Sequence, residues 1–204
     1  MTIKRWSLCL CACLAALVCT AAALQSQQQA LAEKLIRLHV VANSDTKEDQ
    51  AVKLQVRDAV LQVTEPMLQS DTQPEQALAA ALPEIRAAAE NCLRANGFSY
   101  PVKVSLGMER FPTRVYEGFS LPAGTYRSLR VTIGAGEGQN WWCVVFPSIC
   151  FRATAAELEQ AVTAAGFTEE EVRLITEDGE GYVLKFKALE LLGELKKWMF
   201  SNNW

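Results

Sequence analysis

The sequence predicts an α+β fold: a mainly antiparallel sheet packed with helices, in a single domain that follows an N-terminal signal or anchor helix. Three observations carry this reading. The hydrophobic period switches from helical to alternating near residue 102 and returns to helical after Phe151. The strand-like runs do not alternate regularly with helices, which separates this pattern from a parallel α/β sheet. The 204 residues, 50% apolar and 21% charged, suit one folded domain and exclude a disordered chain.

Taken in order, Lys4 and Arg5 precede an uncharged run from Trp6 to Leu24 in which Ala21, Ala22 and Ala23 supply small side chains. A basic start, an apolar centre and a small-residue end make the pattern of a secretory signal, with cleavage after Ala23. The run also approaches the ~20 residues that span a bilayer. Residues 1–23 therefore read as a signal peptide or, if uncleaved, as a membrane anchor, with the rest of the chain extracytoplasmic. Losing Lys4 and Arg5 takes the net charge from −3 to −5. With that charge and no polybasic stretch, a nucleic-acid partner is excluded, because such binding rests on neutralising phosphates.

Residues 24–34, rich in Gln and Ala, read as a solvated linker or helical extension, and residues 35–204 as the single domain. Leu35 to Ala42 is a short, β-branched apolar run that predicts a strand. Asp45 and Glu48 resemble a capping box, and Val52, Val56, Val60, Val63 and Met67 then form one helical stripe. A second helix is expected from about Pro74 to Asn96, kinked or restarted at Pro83 and closed by Gly97. Val102, Val104 and Leu106 alternate as a strand, residues 107–124 read as irregular, and Leu129, Val131 and Ile133 alternate again. The glycine-rich stretch 134–138 reads as a hairpin connection, with Trp141 to Phe146 paired back across it. It is not a phosphate loop, since a strand follows where a helix N-terminus is needed. Thr154 with Glu157 and Thr168 with Glu171 open two helices, and a last helix is expected from about Tyr182 to Phe200.

Four of the seven cysteines (Cys9, Cys11, Cys13 and Cys19) lie in the leader, leaving Cys92, Cys143 and Cys150. Export would let a disulfide persist, and Cys143 and Cys150, flanking Pro147, are the closest pair; the alternative is three buried thiols. A single histidine and no Cys-x-x-Cys motif exclude a structural zinc site, and no metal or cofactor is expected.

His39, Asn43, Ser44 and Asp45 are the densest polar cluster. As chemistry, they offer a hydrolase with His39 as base, Ser44 as nucleophile and Asp45 as orienter. As structure, Ser44 and Asp45 cap the helix while His39 packs at the sheet. The carboxylates at 169–171 and at 177, 178 and 180 lack the ligand spacing of a calcium loop and read as a helix start and a turn. Trp141 and Trp142 point to opposite faces of a strand: as a site, an exposed one of them is a binding anchor, and as structure, both pack in the core.

These segments together resemble the stage II sporulation protein R family of endospore-forming bacteria. The likeness is carried by Ile36-Arg37-Leu38-His39-Val40-Val41-Ala42-Asn43-Ser44-Asp45 and by Val56-Arg57-Asp58-Ala59-Val60. Downstream it continues in Phe111-Pro112-Thr113-Arg114-Val115-Tyr116, Leu121-Pro122-Ala123-Gly124-Thr125-Tyr126 and Gly138-Gln139-Asn140-Trp141-Trp142-Cys143-Val144-Val145-Phe146-Pro147. The resemblance implies a signal, not an enzyme. Such a protein is exported from the forespore into the space between forespore and mother cell. There it activates a membrane-embedded aspartic protease of the mother-cell membrane, which processes the sigma-E precursor. Under that reading His39, Asn43, Asp45, Trp141 and Trp142 are the candidate receptor contacts. The alternative is an exported hydrolase or envelope-remodelling enzyme using His39, Ser44 and Asp45.

Overall fold

In the computed structural model, which describes residues 2–70, 73–116, 119–150 and 155–176, β1 (Ile36–Val41) is the centre of the molecule. It is buried along its whole length, and both of its edges are paired to other strands. The parallel neighbour is β5 (Gly124–Ile133) and the antiparallel one is β6 (Asn140–Phe146). Antiparallel to β5 runs β2 (Val102–Phe111), giving the order β2-β5-β1-β6. A separate antiparallel hairpin joins β3 (Arg114–Tyr116) to β4 (Phe119–Leu121). The fold is α+β with a mainly antiparallel sheet.

Alternation along the strands sends Leu38, Val40, Val104, Leu129, Val131 and Val145 to one face of the sheet. There they meet α2 (Lys47–Ser70) and α3 (Pro74–Ala95). The stripe Val52, Val56 and Val60 of α2 and Leu78, Ile85, Ala89 and Leu93 of α3 fill this core at helical spacing. Pro83 does not divide α3, which runs unbroken from Pro74. Gly97 follows at φ 80°, the left-handed conformation that a glycine adopts without steric cost.

On the opposite face a smaller core gathers Phe111, Tyr126 and Val144 from the sheet with Phe119 and Leu121 of the hairpin. It also includes Leu31, Ala32 and Leu35 around the end of α1 (Thr2–Glu33), Val162 of α4 (Ala155–Ala164), and Val172 and Ile175 of α5 (Glu169–Thr176). Residues 25–33 are thus helical but not wholly solvated, because Leu31 and Ala32 seat the end of α1 in this core. Lys34 Nζ adds a 2.6 Å ion pair to Glu171. Thr168 and Glu171 exchange the two bonds of a capping box at the start of α5. The expected cap at Thr154 and the final helix lie outside the described residues. Among the described residues, no helix is long and apolar enough to cross a membrane.

Two expectations change. The stretch 107–124 is not irregular: β2 continues to Phe111, and the β3–β4 hairpin occupies most of the remainder. Nor do residues 134–138 make a hairpin. β1 lies between β5 and β6, so the glycine run arches over the C-terminal end of β1. Glu137 N and Gly138 N donate to the carbonyls of Asn43 and Ala42 as the loop passes. A Cβ at Gly138 would collide with the Ser44 carbonyl, so backbone must pass close to backbone there. Sequence periodicity marks both strands but is silent on what is inserted between them.

Candidate functional site

Among the described residues, the face of the sheet away from α2 and α3 is packed over mainly at one end. β1 places Arg37 and His39 on this face, two residues apart in an otherwise apolar strand. Strand register sets Ser105, Arg130, His39 and Trp142 in one row across the four strands. The next row holds Lys103, Thr132, Val41 and Asn140.

His39 is 3% exposed. Its ring stacks on Trp142 with centroids 3.8 Å apart and planes 17° from parallel. A carboxylate only accepts, so Nδ1 carries the proton of the 2.8 Å bond to Glu109 Oε1. The other nitrogen, Nε2, lies 2.7 Å from Asn140 Oδ1. Glu109 also accepts from Ser128 Oγ at 2.9 Å and from Arg130 Nη1 at 2.9 Å. One carboxylate therefore ties β1, β2 and β5 together on this face. Phe111 meets Trp142 edge-on at 4.7 Å, and the Arg114 guanidinium stands 5.8 Å from the Trp142 ring.

Deeper on the same face, Arg37 is fully buried. Its guanidinium lies over the rings of Phe111 and Tyr126, at 4.2 and 5.1 Å, and donates to Tyr116 Oη at 2.5 Å and to the Cys143 carbonyl at 3.5 Å. Among the described residues Nη1 has no hydrogen-bond partner. Burial lowers the Arg37 pKa, partly offset by Tyr116 and Tyr126, and burial pushes the Tyr126 hydroxyl well above its ordinary value. Among the described residues no carboxylate pairs with Arg37.

The other expected site residues lie at the turn from β1 into α2. Asn43 Nδ2 donates to Asp49 Oδ2 at 2.8 Å, and Asn43 Oδ1 accepts from Ala135 N at 3.0 Å. Ser44 Oγ donates to Asp49 Oδ2 at 2.6 Å. Asp45 Oδ1 accepts from Gln139 N at 2.8 Å. The helix cap is Thr46, whose Oγ1 accepts from Asp49 N; Asp45 instead clamps the glycine loop. Burial alone would raise the Asp49 pKa, but hydrogen bonds from Ser44, Asn43 and Tyr100 outweigh it and hold the carboxyl below its ordinary value. Trp141 faces the α2 side, under the Arg57 guanidinium at 4.5 Å.

This arrangement does not join His39, Ser44 and Asp45 into the catalytic set that the hydrolase alternative named. His39 bonds Glu109 and Asn140 on the sheet face, while Ser44 and Asp45 bond Asp49 and Gln139 in the turn. The three residues share no bond, and both ring nitrogens of His39 are occupied. Nucleophilic catalysis needs a base within hydrogen-bond reach of the nucleophile. Elsewhere, a cleft of 1240 Å³ lies between the end of α1, the start of α3 and Met108 and Arg127 of the sheet, with no histidine or cysteine lining it. Among the described residues no group of three or more His, Cys, Asp or Glu side chains could hold a metal ion. Cys143 and Cys150 are joined as a disulfide with Cα atoms 5.5 Å apart, and Cys92 is a half-buried thiol.

Sequence reasoning singled out His39 and Trp142 but missed Glu109, Ser128, Arg130 and Asn140, which complete their surroundings. The signal was present in part: Lys103, Ser105, Gly107 and Glu109 alternate onto one face of β2. Nothing in the pattern says that β2 lies two strands from His39.

A family model described as Stage II sporulation protein R (spore_II_R) matches residues 32–156, from the end of α1 through all six strands. The curated Stage II sporulation protein R of Bacillus subtilis (strain 168) is 36% identical over 135 residues, covering 65% of this chain and 60% of that protein. The chain thus spans about three fifths of the length of this relative. No solved structure matches. The matched region contains the whole sheet with the His39–Glu109–Trp142 network on it, and on that match the chain belongs to the stage II sporulation protein R family, whose role is in sporulation.

Proposed function

We propose that this chain is an exported sporulation signal that activates a membrane-embedded aspartic protease of the mother-cell membrane, leading to processing of the sigma-E precursor. In this reading it is made in the forespore and acts between the two membranes, by binding rather than by catalysis. Residues 1–23 direct export and, if uncleaved, hold the protein at the membrane. The observation that carries the reading is family membership over residues 32–156. The separation of Ser44 from His39 supports it, since the one nucleophile–base pair nominated by the sequence is dismantled in the fold. A ligand of this kind activates only by binding the active state of its receptor better than the inactive one.

Co-expression in a non-sporulating host with the matching protease and the precursor tests this. Precursor cleavage is expected with the full chain and not with a chain lacking residues 1–23. If a folded, exported chain leaves the precursor intact in the presence of the protease, the reading is wrong.

A further inference from the structure

The chain is acidic overall, with a formal net charge of −3, yet one sheet face concentrates positive charge. Lys103, Arg114 and Arg130 are all exposed and lie around the row of His39 and Trp142, with the buried Arg37 beneath them. The carboxylate in their midst, Glu109, is already committed to His39, Ser128 and Arg130. Among the described residues neither Lys103 nor Arg114 has an ion pair; the contact of Arg114 is with the Trp142 ring. Arg130 is held in place by Glu109 and by Thr132 at 3.3 Å, so its charge is positioned in advance. Trp142 is half-buried, locked from below by His39 and from the side by Phe111. A rigid aromatic ring with the Arg114 guanidinium beside it, and with Lys103 and the Glu109-anchored Arg130 farther across the same face, is the composition of a binding hot spot for an anionic partner.

We infer that this face, from Lys103 across Arg130 and Trp142 to Arg114, docks an acidic polypeptide segment, which under the function proposed above belongs to the extracytoplasmic part of the receptor. Charge complementarity selects the occupant: carboxylates pair with Lys103, Arg114 and Arg130, and the segment packs on the exposed side of Trp142. The Asn140 amide offers hydrogen bonds to its backbone. An anionic membrane fits less well. The exposed large apolar residues among those described are Val18, Met108 and Val115, and none belongs to the rows of this face. Alternation sends Met108 to the opposite side of β2. Apart from the half-buried Trp142, which is held against His39 and Phe111, these rows carry no exposed apolar side chain to insert, so the face gains little from a bilayer.

The test compares the full chain with a face variant, Lys103→Glu with Arg114→Glu, and with a control, Arg86→Glu with Arg94→Glu, which makes the same charge change at exposed positions of α3. Three readouts are taken: capture of the full-length protease from detergent-solubilised membranes, binding to poly-L-glutamate at low salt, and the melting temperature. The face variant is expected to lose about tenfold or more in both binding readouts, the control little, and wild-type binding to fade as salt rises. Wild-type capture of the protease that persists in the face variant overturns the proposal, as does an equal loss in the control. A fall in melting temperature confined to the face variant would mean that these cations are packed by the chain itself, which also overturns it. Binding to phosphatidylglycerol vesicles but not to poly-L-glutamate would reassign the face to a membrane. If the wild type captures no protease yet binds poly-L-glutamate through this face, the receptor assignment fails while the acidic-segment site stands.

Discussion

Asp49 and Arg37 are both buried charges, and their surroundings treat them differently. Asp49 is ringed by donors from Asn43, Ser44 and Tyr100, so its charged form is favoured in the fold. A carboxyl whose folded pKa lies below its unfolded value of about 4 adds stability that is complete above that value and is lost as pH falls through the folded pKa. An Asp49→Asn variant is therefore expected to have a lower urea midpoint than wild type at pH 7, with the gap narrowing as pH drops below about 4. A gap that stays constant down to pH 3 would show that Asp49 acts through shape alone. Arg37 has no carboxylate partner among the described residues and relies on aromatic faces, the Tyr116 hydroxyl and one carbonyl. The sequence flagged His39, Asn43, Ser44 and Asp45 as a polar cluster but passed over Asp49 and Arg37. A polar residue at helical spacing reads as solvated, and burial of its charge is set by partners that arrive from distant parts of the chain, Tyr100 for Asp49 and Tyr116 for Arg37.

At the scale of elements, the helical stripes and the alternating strands were legible because each is a local period written in consecutive residues. Pairing was not. β5 and β6 follow one another in sequence with a short glycine-rich stretch between them, which is also how a hairpin is written. Only the position of β1, set ninety residues earlier, turns that stretch into an arch. The arch explains the glycines better than a hairpin would. Gly138 passes against the Ser44 carbonyl, and Asp45 and Asn43 hold the loop through Gln139 N and Ala135 N. Gly138→Ala is expected to cost about 2 kcal/mol or more in chemical denaturation, since backbone must move to admit a Cβ. A cost below about 0.5 kcal/mol would mean that the loop yields freely. The same bonds bear on Asp45 and Asn43 as receptor contacts. Substituting either loosens the arch, so a signalling defect in those variants is informative only when stability is measured beside it.

For the whole molecule, the sheet carries, among the described residues, two cores of unequal size and a charged stretch outside both. The smaller core draws on the end of α1, so truncation at residue 23 leaves Leu31, Ala32 and Leu35 in place, whereas truncation at residue 35 would remove all three. The Cys143–Cys150 disulfide links the middle of β6 to the segment that follows the strand, with a sequence separation of 7. Closing so short a loop is worth about 2–3 kcal/mol on chain-entropy grounds. Treatment with a reductant is expected to lower the unfolding free energy by about that amount without abolishing the fold, since Cys143 also packs in the larger core. Unchanged stability under reduction, with free thiols confirmed by titration, would show that the link is energetically idle.

The central position of β1 also sets the order in which the molecule can be assembled. This strand is the first to emerge, whether from a ribosome or from a translocation pore threaded N-terminus first, and its neighbours begin only at Gly124 and Asn140. Until Phe146 is out, the innermost strand has no partner on one side or on both, and the helices α2 and α3 have no finished surface to pack against. Long-range pairing of this kind is slow to form. For a protein exported N-terminus first as proposed above, the four-stranded sheet therefore cannot close on the far side of the membrane until β6 has crossed.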